Sequence, residues 1–195
     1  MYLAINDDKI PGTVVYKRDM DGSTGLDFLK KIFFLKDGIL LTQVRNVSGV
    51  DGSTLQNWVK RGWISNTTNK LYSIDGFARI IIINMLRDTM QLSKISYLLA
   101  YINGNPDDRS DDIIPESKLY DYICRITDSI LGDDSYDDVR LREHIMTCIE
   151  EDELNPLIPD AKARLAKALE VIVTARYAAI VKEHSDELFD SLAKK

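Results

Sequence analysis

Only two cysteines and five prolines occur in the 195 residues, and no Cys-x-x-Cys pair is present. Small secreted domains stapled by disulfides carry far more cysteine, so two isolated thiols fit a reducing compartment. Long apolar runs are also missing. The longest β-branched one, Ile80 to Ile83, is a buried helix face and no membrane span. Asp7 and Asp8 interrupt the start, which does not resemble a secretory leader, so a cytoplasmic location with no membrane contact is expected. The chain also lacks a phosphate-binding glycine loop, a Gly-x-Ser-x-Gly elbow and a His-Glu-x-x-His pair. Nothing in the spacing positions an acid and a base together, so the expectation is no enzyme and no cofactor. With few helix breakers and an ordinary apolar content of 45%, the chain should fold as a mainly helical globule.

What is present is unevenly charged. Residues 41–100 carry 7 positive and 3 negative side chains, whereas residues 101–160 carry 5 and 17, and the whole chain totals −6. One segment is therefore basic inside an acidic protein, the distribution that a nucleic-acid binder requires. The acidic half either receives a protein partner or keeps the chain soluble and turns that side away from DNA.

The basic segment also holds the strongest pattern. Leu41, Val44 and Val47 fall three apart, as one buried face of a short helix capped by Thr42, and Gly49 supplies a tight turn with Val50 in the corner. Asp51 should cap a second helix from Gly52 to Arg61, ended by Gly62, that buries Leu55, Trp58 and Val59. Its other face carries Ser53, Thr54, Gln56, Asn57, Lys60 and Arg61, donors suited to phosphates or base edges. Ile64 and Leu71 flank a polar, turn-forming run that suits a small hairpin, with Lys70 and Tyr72 as further DNA contacts. Ser73 caps a third helix to about Asp88, and a fourth runs through Ile95, Leu98, Leu99 and Ile102 to Asn103-Gly104. The whole reads as a helix-turn-helix with a short wing.

Thr54-Leu55-Gln56-Asn57-Trp58 stands where the MerR family of DNA-binding regulators has Thr-Leu-Arg-Tyr-Tyr, and Gly62-Trp63-Ile64 where it has Gly-Leu-Leu. Lys70-Leu71-Tyr72-Ser73 is similar to that family's Arg-Leu-Tyr-Ser, and Ile95-Ser96-Tyr97-Leu98-Leu99 to its Ile-x-x-Leu-Leu helix. Residues 39–102 thus resemble a MerR-like winged helix, with Gln56 in place of an arginine that supports phosphate binding. The segments Gln56-Asn57-Trp58-Val59-Lys60-Arg61-Gly62 and Asp111-Asp112-Ile113-Ile114-Pro115-Glu116-Ser117 resemble a bacterial family described only as a domain of unknown function. That wider resemblance spans roughly Thr24 to Ile130.

Elsewhere the signals are structural. Thr13 to Tyr16 suits a short strand or an arm, and a helix capped by Ser23 or Thr24 and running to Leu35 should lean on the winged unit through Leu26, Leu29, Ile32 and Phe33. Asp107, Asp108, Asp111 and Asp112 lack the spacing of a calcium loop and read better as a solvated or capping loop. Pro115 begins a helix buried through Leu119, Tyr122, Ile123, Ile126 and Ile130, and Ser135 caps another that contributes Val139, Ile145, Met146 and Ile149. His144, Cys148, Cys124 and His184 form a set that zinc would accept, but the apolar neighbours of both cysteines favour buried thiols, and no metal is expected.

After Asp160 the chain runs towards Leu192 with no glycine or proline. Ala161, Leu165, Ala168, Ile172, Ala175 and Ala179 alternate four and three apart in a heptad-like stripe, with Leu169 alongside, on a helix about 45–50 Å long, with a break near His184-Ser185 as an alternative. A second copy is the expected cover for it, and the alternative is that the helix packs inside its own helical domain. MerR-like regulators resemble this arrangement, which implies a homodimer with two recognition helices on double-stranded DNA. The expected organisation is an arm and packing helix (1–38), a winged helix-turn-helix (39–104) and an acidic helical domain ending in a dimerisation helix (105–195). The expected function is a bacterial transcription regulator, with room for an unidentified small-molecule effector. The competing reading is an interaction module in which the winged unit is scaffold and the acidic half binds a protein partner.

Overall fold

A helix that is apolar over most of its circumference must sit inside a protein, and Ile74–Leu86 is such a helix. In the computed structural model, which describes residues 8–34, 36–67, 69–132 and 136–193, Phe77, Ala78 and every residue from Ile80 to Ile83 are buried. This central helix is α4. Ser73 caps it by accepting from the Gly76 amide at 3.1 Å.

The preceding elements are α1 (Gly25–Ile32), β1 (Ile39–Leu40), α2 (Leu41–Ser48), α3 (Gly52–Lys60) and β2 (Leu71–Tyr72). After α4 come α5 (Leu92–Asn103), α6 (Glu116–Gly132), α7 (Asp138–Glu150) and α8 (Ala161–Ala193). Helices α2, α5, α6 and α8 pack around α4, and one hydrophobic cluster runs from Ile10 to Val173. No helix among the described residues is long and apolar enough to cross a membrane.

Several boundaries follow the sequence signals. Gly49 and Gly104 end α2 and α5, Pro115 precedes α6, and the five expected apolar residues of α6 are all buried. Others depart from them. The amide of Leu40, not Thr42, stands at the start of α2, where it donates to the Gln43 side chain at 3.0 Å. Asp137 caps α7 through the Val139 amide at 2.8 Å; the expected cap, Ser135, lies outside the described residues, as does Leu35. Val139 itself is exposed, and Leu141 takes the buried place instead. Helix α1 packs on α6, not chiefly on the α2–α3 unit, because the Leu26 amide donates to Asp121 at 2.8 Å. Phe33, just after α1, meets Phe77 of α4 with 6.1 Å between ring centres.

The loop from Asp8 to Tyr16 works as a clasp and forms only a single β-bridge, Lys9 with Tyr16. Its Val14 amide donates to the Val47 carbonyl at the end of α2 (3.0 Å), and its Pro11 carbonyl accepts from the Tyr120 hydroxyl on α6 (2.8 Å). The Asn84 amide of α4 donates both to the Gly12 carbonyl (3.0 Å) and to the Ser48 carbonyl (2.9 Å). Lys9 reaches Glu183 on α8 at 3.2 Å. Four elements are thereby joined through one short segment.

An ion pair lies in the core. Arg79 of α4 donates to Glu116 at 2.8 Å, with side chains 2% and 0% exposed, and its Nε donates to the Trp63 carbonyl at 2.7 Å. Arg109 binds the other Glu116 oxygen and donates to Asp112 at 3.0 Å. The aspartate-rich loop is thus anchored inward and is not a simple solvated linker. Burial pushes the Asp112 carboxyl up to about 6 even though Arg109 donates to it.

Helix α8 is continuous from Ala161 to Ala193, with no break at His184-Ser185. Leu165, Ala168, Leu169 and Ile172 are fully buried against α4, α5, α6 and α7, and Ala175 and Ala179 are half-buried. The stripe expected to meet a second copy is therefore covered by the chain itself. Helices α4–α7 gather along one side of α8 and supply that cover.

Removing Glu116 leaves the buried Arg79 charge unpaired, whereas removing Arg79 leaves Glu116 with Arg109 alone. Glu116→Gln should lower urea-unfolding stability by about 3–5 kcal/mol, and Arg79→Met by less. Single losses below about 1 kcal/mol would show that the pair is dispensable. Asp112 generates a pH effect of opposite sign to that of an ordinary paired carboxylate. Its folded form holds the proton longer than the unfolded chain, so its contribution favours the fold at low pH and is lost as pH rises through about 6. Relative to wild type, Asp112→Asn should gain thermal stability between pH 4.5 and 7.5; parallel pH profiles for the two would contradict this.

Candidate nucleic-acid interface

The α2–α3 unit is built by its turn. Gly49 has φ +72°, and a Cβ there would stand 2.5 Å from the Val14 side chain, so both backbone and clasp require glycine. The Ser48 hydroxyl donates to the Val44 carbonyl (2.7 Å) and accepts from the Val50 amide (3.2 Å), which closes the corner over buried Val50. Asp51 then caps α3. Its carboxylate accepts from the Thr54 amide at 2.8 Å, the Thr54 hydroxyl at 2.6 Å and the Ser53 hydroxyl at 2.5 Å.

These bonds hold the Asp51 carboxyl far below the ordinary carboxylate range, first through Ser53 and then through Thr54. An anion is therefore fixed at the start of α3, where the helix dipole would otherwise favour a phosphate. Ser53 and Thr54, expected as DNA donors, spend their hydroxyl protons on this cap. The sequence pattern located them correctly at the helix start but could not show that Asp51 engages both.

Along the outer face of α3, Leu55 and Trp58 point into the core while Gln56, Asn57, Lys60 and Arg61 are exposed. Arg61 Nε donates to Asn57 Oδ1 at 3.2 Å, and its guanidinium lies 5.1 Å from the centre of the Trp63 ring. Gln56 and Lys60 make no side-chain hydrogen bond among the described residues. Arg45 was missed. Its exposed side chain passes 3.7 Å from where a Cβ on Gly52 would stand, which places a third cation beside the first turn of α3. Its exposure could have been read from its position opposite Val44 and Val47 on α2.

The expected wing differs from a self-contained hairpin. Among the described residues between Ile64 and Tyr72 the only strand is Leu71–Tyr72, and it pairs antiparallel with Ile39–Leu40, with Ile39 opposite Tyr72. Thr68 lies outside the described residues. Tyr72 is 8% exposed, and burial raises its phenol, so its ring is a packing element and not a free contact. Lys70 is exposed, with φ +63°, and with Thr42 lines a shallow cleft at the start of α2. The Asn66 amide donates to Asp107 at 3.3 Å, so this segment is held by the acidic loop.

The zinc candidates do not offer thiolates. Cys124 is fully buried and burial pushes its thiol up to about 12, while burial also raises Cys148. No three His, Cys, Asp or Glu side chains among the described residues are grouped so as to hold a metal ion.

The turn can be tested directly. Gly49→Ala should lose roughly 1–3 kcal/mol of unfolding stability, because alanine pays for a left-handed backbone and strikes Val14. An unchanged urea midpoint would mean that the corner relaxes freely.

No curated protein and no solved structure matches the chain. Residues 32–123 match a family model, and this span takes in α2, α3, α4, α5 and both ends of the Arg79–Glu116 pair. The model is the one described as Domain of unknown function (DUF1836), to which this segment is similar.

Proposed function

We propose that the chain is a non-enzymatic, sequence-specific DNA-binding regulator that lays α3 in the major groove of duplex DNA. The observation that carries this reading is the outer face of α3. Gln56 and Asn57 are exposed amides able to read a base edge, and Lys60, Arg61 and Arg45 surround them with positive charge. Lys70, beside the start of α2, reaches the neighbouring backbone. The MerR-like resemblance of residues 39–102 supports the same assignment of reading helix and flanking segment. Asp51 and the Ser53–Thr54 cap set the helix end back from phosphate, so the middle and end of α3 make the contacts.

The acidic half suits the alternative, a protein partner held away from DNA, and one experiment separates them. Fluorescence anisotropy would compare a duplex from the region upstream of the coding sequence with a scrambled duplex, over a range of salt. Tight, salt-steep binding that prefers the upstream duplex supports the regulator. Lys60→Ala should then weaken binding to every duplex and lower the salt slope by about one, whereas Asn57→Ala should relax preference at one base pair by roughly 1–3 kcal/mol. Asp51→Asn keeps a cap but removes the anion, so it should tighten binding to both duplexes. No binding at low salt, or full affinity in the Lys60→Ala, Arg61→Ala double variant, would transfer the weight to the interaction module.

A further inference from the structure

Between the clasp, α4 and α8 lies a cavity of about 270 Å³. Its walls are residues 9–13 of the clasp, Asn84 and Met85 of α4 with Asp88 just beyond, and one face of α8 between positions 176 and 186. Small-molecule sites span roughly 300–1,000 Å³, so a cavity of this size suits a small metabolite.

The walls are set before anything binds. Gly12 has φ +75°, and a Cβ there would stand 2.1 Å from the Ile81 carbonyl oxygen, so the clasp lies on α4 backbone to backbone. The Thr13 hydroxyl donates to the Ile10 carbonyl at 2.9 Å and accepts from the Val15 amide at 3.1 Å, which braces the clasp turn. Opposite, the Thr89 hydroxyl stands 3.2 Å from the Ala175 carbonyl and pins the end of α4 to α8. A preformed cavity needs little further ordering when it fills.

The lining is apolar inside and charged towards solvent. Ile10 and Met85 are buried, and Ala179 of α8 is half-buried. Four of the charged side chains pair with one another, Lys9 with Glu183 at 3.2 Å and Lys182 with Asp186 at 2.7 Å. The other two charges are of opposite sign and flank the contact of Thr89 with Ala175. Arg176 is 6% exposed, and a guanidinium carries five N–H donors, more than any one partner uses. Asp88 is exposed. A buried guanidinium suits a carboxylate, and an aspartate at the mouth suits an ammonium. A small molecule that carries both charges beside an apolar group is an α-amino acid.

We propose that this cavity binds a hydrophobic α-amino acid as its zwitterion, with the carboxylate on Arg176, the ammonium on Asp88 and the side chain against Ile10, Met85 and Ala179. Bound there, it adds a contact between α4 and α8 and holds the clasp against both. The proposal stands apart from the duplex reading: ligand binding is measured without DNA, and failure of either leaves the other in place.

Isothermal titration calorimetry of the full chain with leucine, methionine and phenylalanine tests it. At least one should bind with a Kd below about 1 mM. Two analogues of the tightest binder separate the contacts. Its methyl ester lacks the carboxylate and its des-amino acid lacks the ammonium, and each should bind at least about tenfold more weakly. Asp88→Asn should weaken the amino acid by about tenfold and leave the des-amino analogue unchanged, a difference that a loss of folding would not produce. Because Asp88 is exposed, this variant should keep the wild-type circular dichroism and urea midpoint. The bound amino acid should also slow hydrogen exchange at the Ile10 and Thr13 amides, whose bonds close the clasp turn. No binding by any of the three with a Kd below about 1 mM, an analogue that binds as tightly as the amino acid, or wild-type affinity in Asp88→Asn would overturn the proposal.

Discussion

The buried contact between Arg79 and Glu116 joins four separate parts of the protein. Arg79 belongs to the central helix, Glu116 opens α6, Arg109 holds the aspartate-rich loop, and the Trp63 carbonyl follows the end of α3. Desolvating two charges is expensive, so such a pair persists only where each remaining donor and acceptor is used. The guanidinium serves a carboxylate and a carbonyl, and both carboxylate oxygens have arginine partners. Apolar residues could fill this space, but they would not fix the direction in which the chain leaves α3.

Local structure was largely legible because its causes are local. Gly49, Asp51, Ser73 and Pro115 act within a few residues, through a left-handed turn, two caps and a helix start, and each stands where its chemistry requires. The faces of α3 and α6 follow from helical period alone. Tyr72 was misread because an aromatic after a polar run looks alike whether it covers a core or meets a ligand, and only the pairing of Leu71–Tyr72 with Ile39–Leu40 decides. The engagement of Ser53 and Thr54 by Asp51 was hidden for another reason. Three polar residues at a helix start can all point outward or can satisfy one another.

Helix α8 shows the limit of periodicity most plainly. Its sequence holds one apolar stripe through Leu165, Leu169 and Ile172 and another through Val171, Val181 and Leu188. Period identifies both as faces but says nothing about what covers either. The arrangement of α4–α7 selects the first as core, and that arrangement depends on contacts such as Arg79 with Glu116, thirty-seven positions apart.

The clasp formed by residues 8–16 has a mechanical meaning. Val14 holds the end of α2, Asn84 bridges the clasp to the same turn, and Lys9 ties it to α8. The turn between α2 and α3 therefore has no hinge of its own, since swinging it would break bonds to three other helices. A ligand approaching α3 meets a rigid template. On the proposed reading, any adjustment in curvature or groove width comes from the duplex, so discrimination at such a surface falls on how easily the duplex deforms.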